Sequence, residues 1–358
     1  MDKTTSIYLD GVIDFSGKIQ RNILKLKFDL YFNTLSIVNE FDFIRQYLHR
    51  QQQDKQLILG IGDDAAIIRP RSGYDLHFSA DMLVGGTHFF PDVAPADLAH
   101  KVLAVNLSDM AAMGATPRWA LLSVALPELN KDWLAAFCDT LFALAARFGV
   151  KLIGGDTTKG NWVFNVTIIG ETPCGKALRR DAAKVGDDIW VTGQLGLAAA
   201  ALDVHWGKVV LSEPVFALCE NKRLRPEPRV ALGQELLSLA HAAQDISDGL
   251  AQDIGHILNA SAVGAEINVD MIPTLSALKQ QSTVTLSQLR QWILAGGDDY
   301  ELVFTAAPTQ RKAILAAAQK VSVEVTRIGV ITTTDQLHLY DHKGNVIQLS
   351  QRGFDHFG

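Results

Sequence analysis

Gly60-Ile61-Gly62-Asp63-Asp64-Ala65-Ala66 follows the apolar run Leu57-Ile58-Leu59. Gly60, Gly62 and Ala65 have the spacing of a dinucleotide-binding turn, and Asp81 lies roughly twenty positions on, where such a turn has its ribose-binding carboxylate. Two features spoil that reading. Asp63 and Asp64 stand where a pyrophosphate would have to approach backbone N–H groups. Pro70 and Gly73 then interrupt the long helix that should follow, within about two turns. A glycine turn that offers paired carboxylates suits a metal ion better than a bare phosphate.

Composition sets outer bounds on the rest. The 358 residues suffice for two domains with full cores, and 48% apolar with 20% charged residues is ordinary for a globular protein. A net charge of −6 argues against general nucleic-acid binding. Cys138, Cys174 and Cys219 are too widely spaced for a disulfide framework or a Cys-x-x-Cys metal site, which predicts a reducing cytoplasm. No apolar run approaches the roughly 18 residues of a membrane span, and Met1–Asp10 lacks the pattern of a signal peptide. Residues 1–37 read as an extension of unknown role. Leu24–Leu30 alternates like a strand within it, and a natural start near Val38 is the other reading.

From Asn39 the pattern is regular. Phe41–Leu48 reads as an amphipathic helix, and Asp75–Ser79 as a strand running into Ala80-Asp81. Pro95 opens a long helix that Gly114 closes, with Leu98, Val102, Val105 and Asp109 on one stripe, so that Asp109 lies along a face that should be buried. A helix over Asp132–Phe148 and a strand Lys151–Ile153 ending in Gly154-Gly155-Asp156 follow, with Trp162–Ile169 as the neighbouring strand. The composition turns polar near Glu171-Thr172-Pro173, the best candidate boundary, giving domains over 38–170 and 171–358. Beyond it, Ile189–Val191 and Glu266–Val269 read as strands, and Leu195–Val204, Arg229–Ala243 and Leu286–Leu294 as helices. The mixture predicts an α+β or mixed α/β fold.

Carboxylates recur after small residues: Gly62-Asp63-Asp64, Ser79-Ala80-Asp81, Gly154-Gly155-Asp156, Asp245-Ile246-Ser247-Asp248 and Gly296-Gly297-Asp298-Asp299, with Asp109 as a sixth location. Singly each is ordinary turn chemistry. Together, in elements that must pack, they imply converging carboxylates that are protonated or share cations. Oxygen donors without a zinc-spaced histidine pair favour Mg²⁺, and an acidic site that binds polyphosphate through metal points to nucleotide chemistry. Lys159, Arg179 and Arg180 are nearby cations; for the arginine pair a solvated surface role stands beside a phosphate contact. Gly155–Gly160 misses a P-loop because Asn161 replaces the lysine, and no protein-kinase or nucleophile-elbow motif occurs. His88 could bind substrate, although its residue type alone favours a structural role.

These motifs, read in order as Gly60–Ala65, Asp81 with Gly85-x-x-His88-Phe89, Ala104–Gly114, Gly154–Thr158, Ile246–Leu250 and Gly296–Leu302, resemble the thiamine-monophosphate kinase family from about Asn39 to Phe357. The resemblance implies a two-domain fold of the aminoimidazole-ribonucleotide-synthetase type, whose N-terminal domains pair into a β-barrel in a homodimer. It implies transfer of the γ-phosphoryl of ATP to thiamine monophosphate, with several Mg²⁺ ions and without a phospho-enzyme. Asp64, Ser79, Asp81, Asp109, Asp156, Asp245 and Asp248 match its metal ligands. Gly155, Asp156, Arg180 and Ser247 match its nucleotide contacts, and His88, Asp298 and Phe354 its substrate contacts. No residue matches a dedicated base. The chain departs from the family's usual wording at Ala80, Asp298 and Phe354. Another ATP-dependent synthetase of the same superfamily, such as aminoimidazole-ribonucleotide synthetase, is the rival. A selenophosphate synthetase would need a reactive residue near the first glycine turn, yet no cysteine precedes Cys138. A hydrogenase-maturation dehydratase would end in cysteine, whereas this chain ends Phe357-Gly358.

Overall fold

The computed structural model describes residues 39–50, 55–349, 351, 353 and 354. The expected extension over 1–37, with its alternating Leu24–Leu30, lies outside them. Helices of seven or more residues are numbered α1–α8 below.

In the N-terminal half, β3 (Tyr74–Val84), β6 (Val163–Pro173), β4 (Thr116–Leu126) and β5 (Lys151–Lys159) form a four-stranded sheet in that order. β6 runs antiparallel to both neighbours, and β4 pairs parallel with β5. Two short strands, β1 (Leu57–Leu59) and β2 (Ile67–Ile68), form an antiparallel pair beside it. Among the described residues this sheet is open, with β3 and β5 at its edges. One face packs on α1 (Pro95–Ala112) and α2 (Lys131–Arg147), where Leu122, Val124, Phe164, Val166 and Ile168 join the main core. The other face carries a smaller cluster around Trp119, Ile153 and Ile169, against which Leu57, Ala66 and Ile68 pack.

Helix α1 holds the molecule together. Pro95 sits in its first turn, where no intrahelical N–H is needed, and Asp97 faces the positive end of its dipole. Gly114, at φ 67°, ends it: the Gly114 N–H bonds to the Ala111 carbonyl and the Ala115 N–H to that of Met110. Its residues from Leu98 to Ala112 are buried on nearly every side, as expected of a helix lying between layers. The stripe read from the sequence is therefore buried, and so is a second side carrying Leu103, Leu107 and Met110, because α1 touches β3, β6, α2 and elements of the C-terminal half.

The C-terminal half is a six-stranded sheet in the order β12-β9-β11-β7-β10-β8. Its strands are β7 (Asp188–Thr192), β8 (Ala242–Asp245), β9 (Gly264–Asn268), β10 (Leu302–Ala306), β11 (Val325–Thr332) and β12 (Leu337–Tyr340). Only β12 and β9 pair parallel; the other pairs are antiparallel. The helices of this half are α3 (Leu197–His205), α4 (Glu213–Leu224), α5 (Val230–Leu236), α6 (Leu250–Ser261), α7 (Leu286–Ala295) and α8 (Arg311–Lys320). Leu250, Ile254, Ile257 and Leu258 of α6 pack on one sheet face with Ile189, Val191 and Val303. Trp190, Leu302 and Phe304 point to the opposite face and join the core that contains α1. The mixed α/β, two-part fold expected from the sequence is the one observed.

Several element boundaries differ from the sequence reading. The expected helix over Arg229–Ala243 stops at Leu236, and Ala242–Asp245 instead pairs antiparallel with β10. Alanine and leucine favour helix locally, but the unpaired edge of β10 claims this segment. The helix Glu213–Leu224 had no sequence expectation. β3 continues through Asp81 to Val84, and β5 through Gly155 and Asp156 to Lys159. Phe41–Leu48 is an α turn over Glu40–Phe43 followed by a π turn over Ile44–Leu48.

Candidate active site

The alternation of β3 turns Ser79 and Asp81 toward α1 and leaves Ala80 exposed on the opposite face. Ser79 Oγ donates to Asp109 Oδ2 at 2.6 Å. Asn106, one turn before Asp109 on α1, accepts the edge-strand N–H of Asp81 at 3.0 Å. Ser108 reaches the other way, and its Oγ donates to Asp245 Oδ2 at 2.7 Å. One stretch of α1 thus accepts from β3 through Asn106 and Asp109 and donates to Asp245 of the other half through Ser108.

After Asp245 the chain turns sharply at Gly249, whose φ of 124° is open to glycine alone. Asp253 Oδ2 accepts the N–H groups of Asp248 and Gly249, both at 3.1 Å, and Gln244 donates to its other oxygen. Asp253 thereby fixes the loop that carries Ser247 and Asp248, and Gln252 donates to Asp248 Oδ2 at 3.0 Å. The Asp298 segment runs alongside, with the Asp298 N–H on the Ser247 carbonyl and the Tyr300 N–H on that of Ile246. Lys101, its side chain 4% exposed, donates from Nζ to Asp298 Oδ2 at 2.5 Å. The Phe354 N–H bonds to the Asp248 carbonyl, and its ring is exposed.

Burial pushes the Asp81 carboxyl up to about 7, and the charges of Asp109 and Asp248 add to the effect. Asp109 is also raised by burial, against the Ser79 hydrogen bond and the charge of Arg180. Asp245 rises well above the carboxylate range for the same first reason, with Asp109, Asp253 and Asp81 adding and the Ser108 hydroxyl opposing. Asp253 reaches about 7 through burial and then Asp248. The Tyr300 phenol is raised by burial and by Asp298, Asp81, Asp245 and Asp109. These acidic groups repel one another in a partly dry space, and hard oxygen donors of that kind fit a hard divalent cation. Among the described residues, no group of three or more His, Cys, Asp and Glu already stands close enough to hold a metal ion.

The structure brings together Ser79, Asp81, Asp109, Asp245, Ser247, Asp248 and Asp298, with Phe354 beside them. Arg180 is exposed but near enough for its charge to act on Asp109. His88 is half-buried; its Nδ1 accepts the Val84 N–H at 3.0 Å, which leaves Nε2 to carry the proton of the neutral ring. Asp64 is exposed in the turn between β1 and β2, where its N–H bonds to Asp63. Asp156 is exposed, and its register with Ser123, Asn165 and Met82 sets it on the face opposite Ser79 and Asp81. Gly155, at φ 145°, passes so near Leu122 that a Cβ would lie 1.8 Å from the Leu122 carbonyl oxygen. Sequence reasoning missed Lys101, Asn106, Asp253 and Tyr300. Lys101 and Asn106 left a signal, as polar residues inside the apolar run Leu98–Leu107; Tyr300 lay inside the Gly296–Leu302 motif without a role, and Asp253 left no signal apart from adjacency to Ile246–Leu250.

Two family models match the chain, the AIR synthase related protein N-terminal domain over residues 62–172 and its C-terminal domain over 184–342. The thiamine-monophosphate kinase of Salmonella typhimurium is 43% identical over 320 residues, covering 89% of this chain and 98% of the relative. The crystal structure of thiamine-monophosphate kinase from Stenotrophomonas maltophilia superposes with a TM-score of 0.77 at 42% identity, over 87% of this chain and 98% of that one. The solved complex of AaThiL with AMPPCP and TMP gives a TM-score of 0.69 at 27% identity, over 89% and 97%.

Proposed function

This chain belongs to the thiamine-monophosphate kinase family, and from that premise we propose how its residues carry out the ATP-dependent phosphorylation of thiamine monophosphate to thiamine diphosphate. The observation that carries the reading is the convergence of Asp81, Asp109, Asp245 and Asp248 from β3, α1, β8 and the α6 turn. A phosphate oxygen of thiamine monophosphate attacks the γ-phosphorus of ATP in line. The bond to the β–γ bridging oxygen breaks, and ADP leaves with its electron pair.

Asp64, Ser79, Asp81, Asp109, Asp156, Asp245 and Asp248 are the proposed ligands of several Mg²⁺ ions. When bound, these ions neutralise the two polyanions that must meet. Ser79 and Ser108 orient Asp109 and Asp245 by donating to one oxygen of each, leaving the other oxygen available. Gly155, Asp156, Arg180 and Ser247 are the proposed nucleotide contacts. His88, Asp298 and Phe354 are the proposed contacts to thiamine monophosphate, with Lys101 holding the Asp298 carboxylate in place. The attacking phosphate is already ionised near neutral pH, so no side-chain base is required.

A homodimer completes the reading. Phe78 and Met82 are 64% and 53% exposed on the sheet face that carries Asp156. Pairing that face with its counterpart in a second copy would bury them and form the barrel, and Asp156 would then serve the site of that copy. The proposed domains are 38–170 and 171–358, and the proposed compartment is the cytoplasm. No helix among the described residues is long and apolar enough to cross a membrane.

The test offers thiamine monophosphate, free thiamine and the aminoimidazole-pathway substrate separately with ATP and Mg²⁺. Turnover of the first alone is expected; turnover of either other compound alone would sink the assignment.

A further inference from the structure

Asp299 and Glu301 stand apart from the carboxylate cluster, yet both are buried, and they directly follow Asp298, which is proposed to meet the substrate. The Glu301 side chain is fully enclosed. Lys222 Nζ and Arg229 Nη2 donate to its Oε1 at 2.6 Å each, Arg229 Nε to Oε2 at 2.6 Å, and Thr192 Oγ1 to Oε2 at 2.5 Å. Burial alone would push this carboxyl up, but Lys222 and Arg229 hold it below its ordinary value, so it stays anionic. Space for it is kept by Gly193, where a Cβ would lie 2.3 Å from Oε1. Asp299 accepts the Gly196 N–H with both oxygens, at 3.0 and 3.1 Å, where α3 begins.

The backbone just before and between these anchors is strained. Gly297, Asp298 and Tyr300 have φ of 65°, 61° and 49°. Left-handed non-glycine residues persist only where the surroundings over-determine them. Side chains alternate along the segment: Asp298 meets Lys101 of α1, while Asp299 and Glu301 are fastened to α3, β7, α4 and the start of α5. The Thr192 hydroxyl also accepts the Leu302 N–H at 2.8 Å, which ties the exit of the segment to the same anchor.

We propose that Asp299 and Glu301 are positioning residues that lock the left-handed turn Gly297–Tyr300, and so aim Asp298 at bound thiamine monophosphate. The inference rests on the reading of Asp298 as a substrate contact. A buried, four-bonded carboxylate makes a stiff anchor, because releasing the turn would leave Lys222 and Arg229 without their counter-charge. The backbone at the substrate contact is thereby set from the C-terminal half, while Lys101 of α1 holds the Asp298 carboxylate.

The experiment measures kcat and both KM values for the full chain as wild type, Asp298→Ala, Asp299→Ala, Glu301→Gln and Thr192→Val, with folding checked by thermal melting. Thr192→Val removes a hydroxyl from the anchor without leaving a charge unpaired, and it keeps the test open if Glu301→Gln does not fold. Positioning predicts that folded anchor variants raise the KM for thiamine monophosphate by about tenfold while the KM for ATP changes less than about twofold. A merely structural role lowers the active fraction, so kcat falls and both KM values stay put; that result overturns the inference. If Asp298→Ala alone raises the KM for thiamine monophosphate and the anchor variants do not, the positioning claim fails and the substrate site stands. If Asp298→Ala leaves that KM at the wild-type value, the substrate reading falls and the inference with it.

Discussion

Ser108 Oγ donates to Asp245 Oδ2 at 2.7 Å across 137 positions of sequence, joining the central helix of one half to the last residue of an edge strand in the other. Both residues are buried, so water has little access to replace the bond. Ser108→Ala strands the Asp245 carboxylate and is expected to lower stability by about 1–3 kcal/mol, read as a shift in urea midpoint at unchanged slope. An unchanged midpoint would show that Asp245 finds another donor.

Asp81 combines burial with two like-charged neighbours, so it works against the fold when no cation is present. Asp81→Asn is expected to melt higher than wild type at pH 8 without Mg²⁺, while kcat at fixed Mg²⁺ falls about 100-fold or more. Lower stability together with wild-type turnover would remove Asp81 from the metal cradle.

The pH dependence has a definite sign. Asp81 and Asp253 both lie near 7 in the folded chain, above the ordinary carboxylate value of about 3.9 expected of the unfolded one. A carboxyl raised by folding stabilises the native state fully below the unfolded value, and that contribution is lost as pH rises through the folded one. With a chelator present, melting temperature should therefore fall between pH 5 and pH 8. Added Mg²⁺ should recover more of it at pH 8, where its ligands have already lost their protons. A flat profile with chelator, or equal Mg²⁺ effects at both pH values, contradicts the assignment.

Met82 and Asp156 share the outer sheet face, away from Asp81. Phe78→Glu with Met82→Glu should give a monomer by light scattering and abolish most activity. Asp81→Asn and Asp156→Asn should each be inactive, yet co-expressed they should recover about a quarter of wild-type activity, since mixed dimers regain one intact site of two. No recovery would mean that each site uses its own Asp156.

The order of the motifs along the chain was enough to predict the family, the mixed α/β class and most of the carboxylates, because short polar runs after glycine have strict local requirements. The long helix Pro95–Ala112 was equally legible from Pro95, Gly114 and its apolar stripe. Local pattern could not show that Ala242–Asp245 is a strand, since only the open edge of Leu302–Ala306 makes it one. It also could not separate the carboxylates by face. Asp63 and Asp64, which first spoiled a dinucleotide reading, lie exposed in their turn, whereas Ser79, Asp81, Asp109, Asp245 and Asp248 gather around the central helix. Lys101 stood out only as a polar residue in an apolar run, and the parts played by Asp253 and Glu301 became visible only through packing. Their roles depend on which distant group each one meets once buried, and residue spacing along a chain does not encode that.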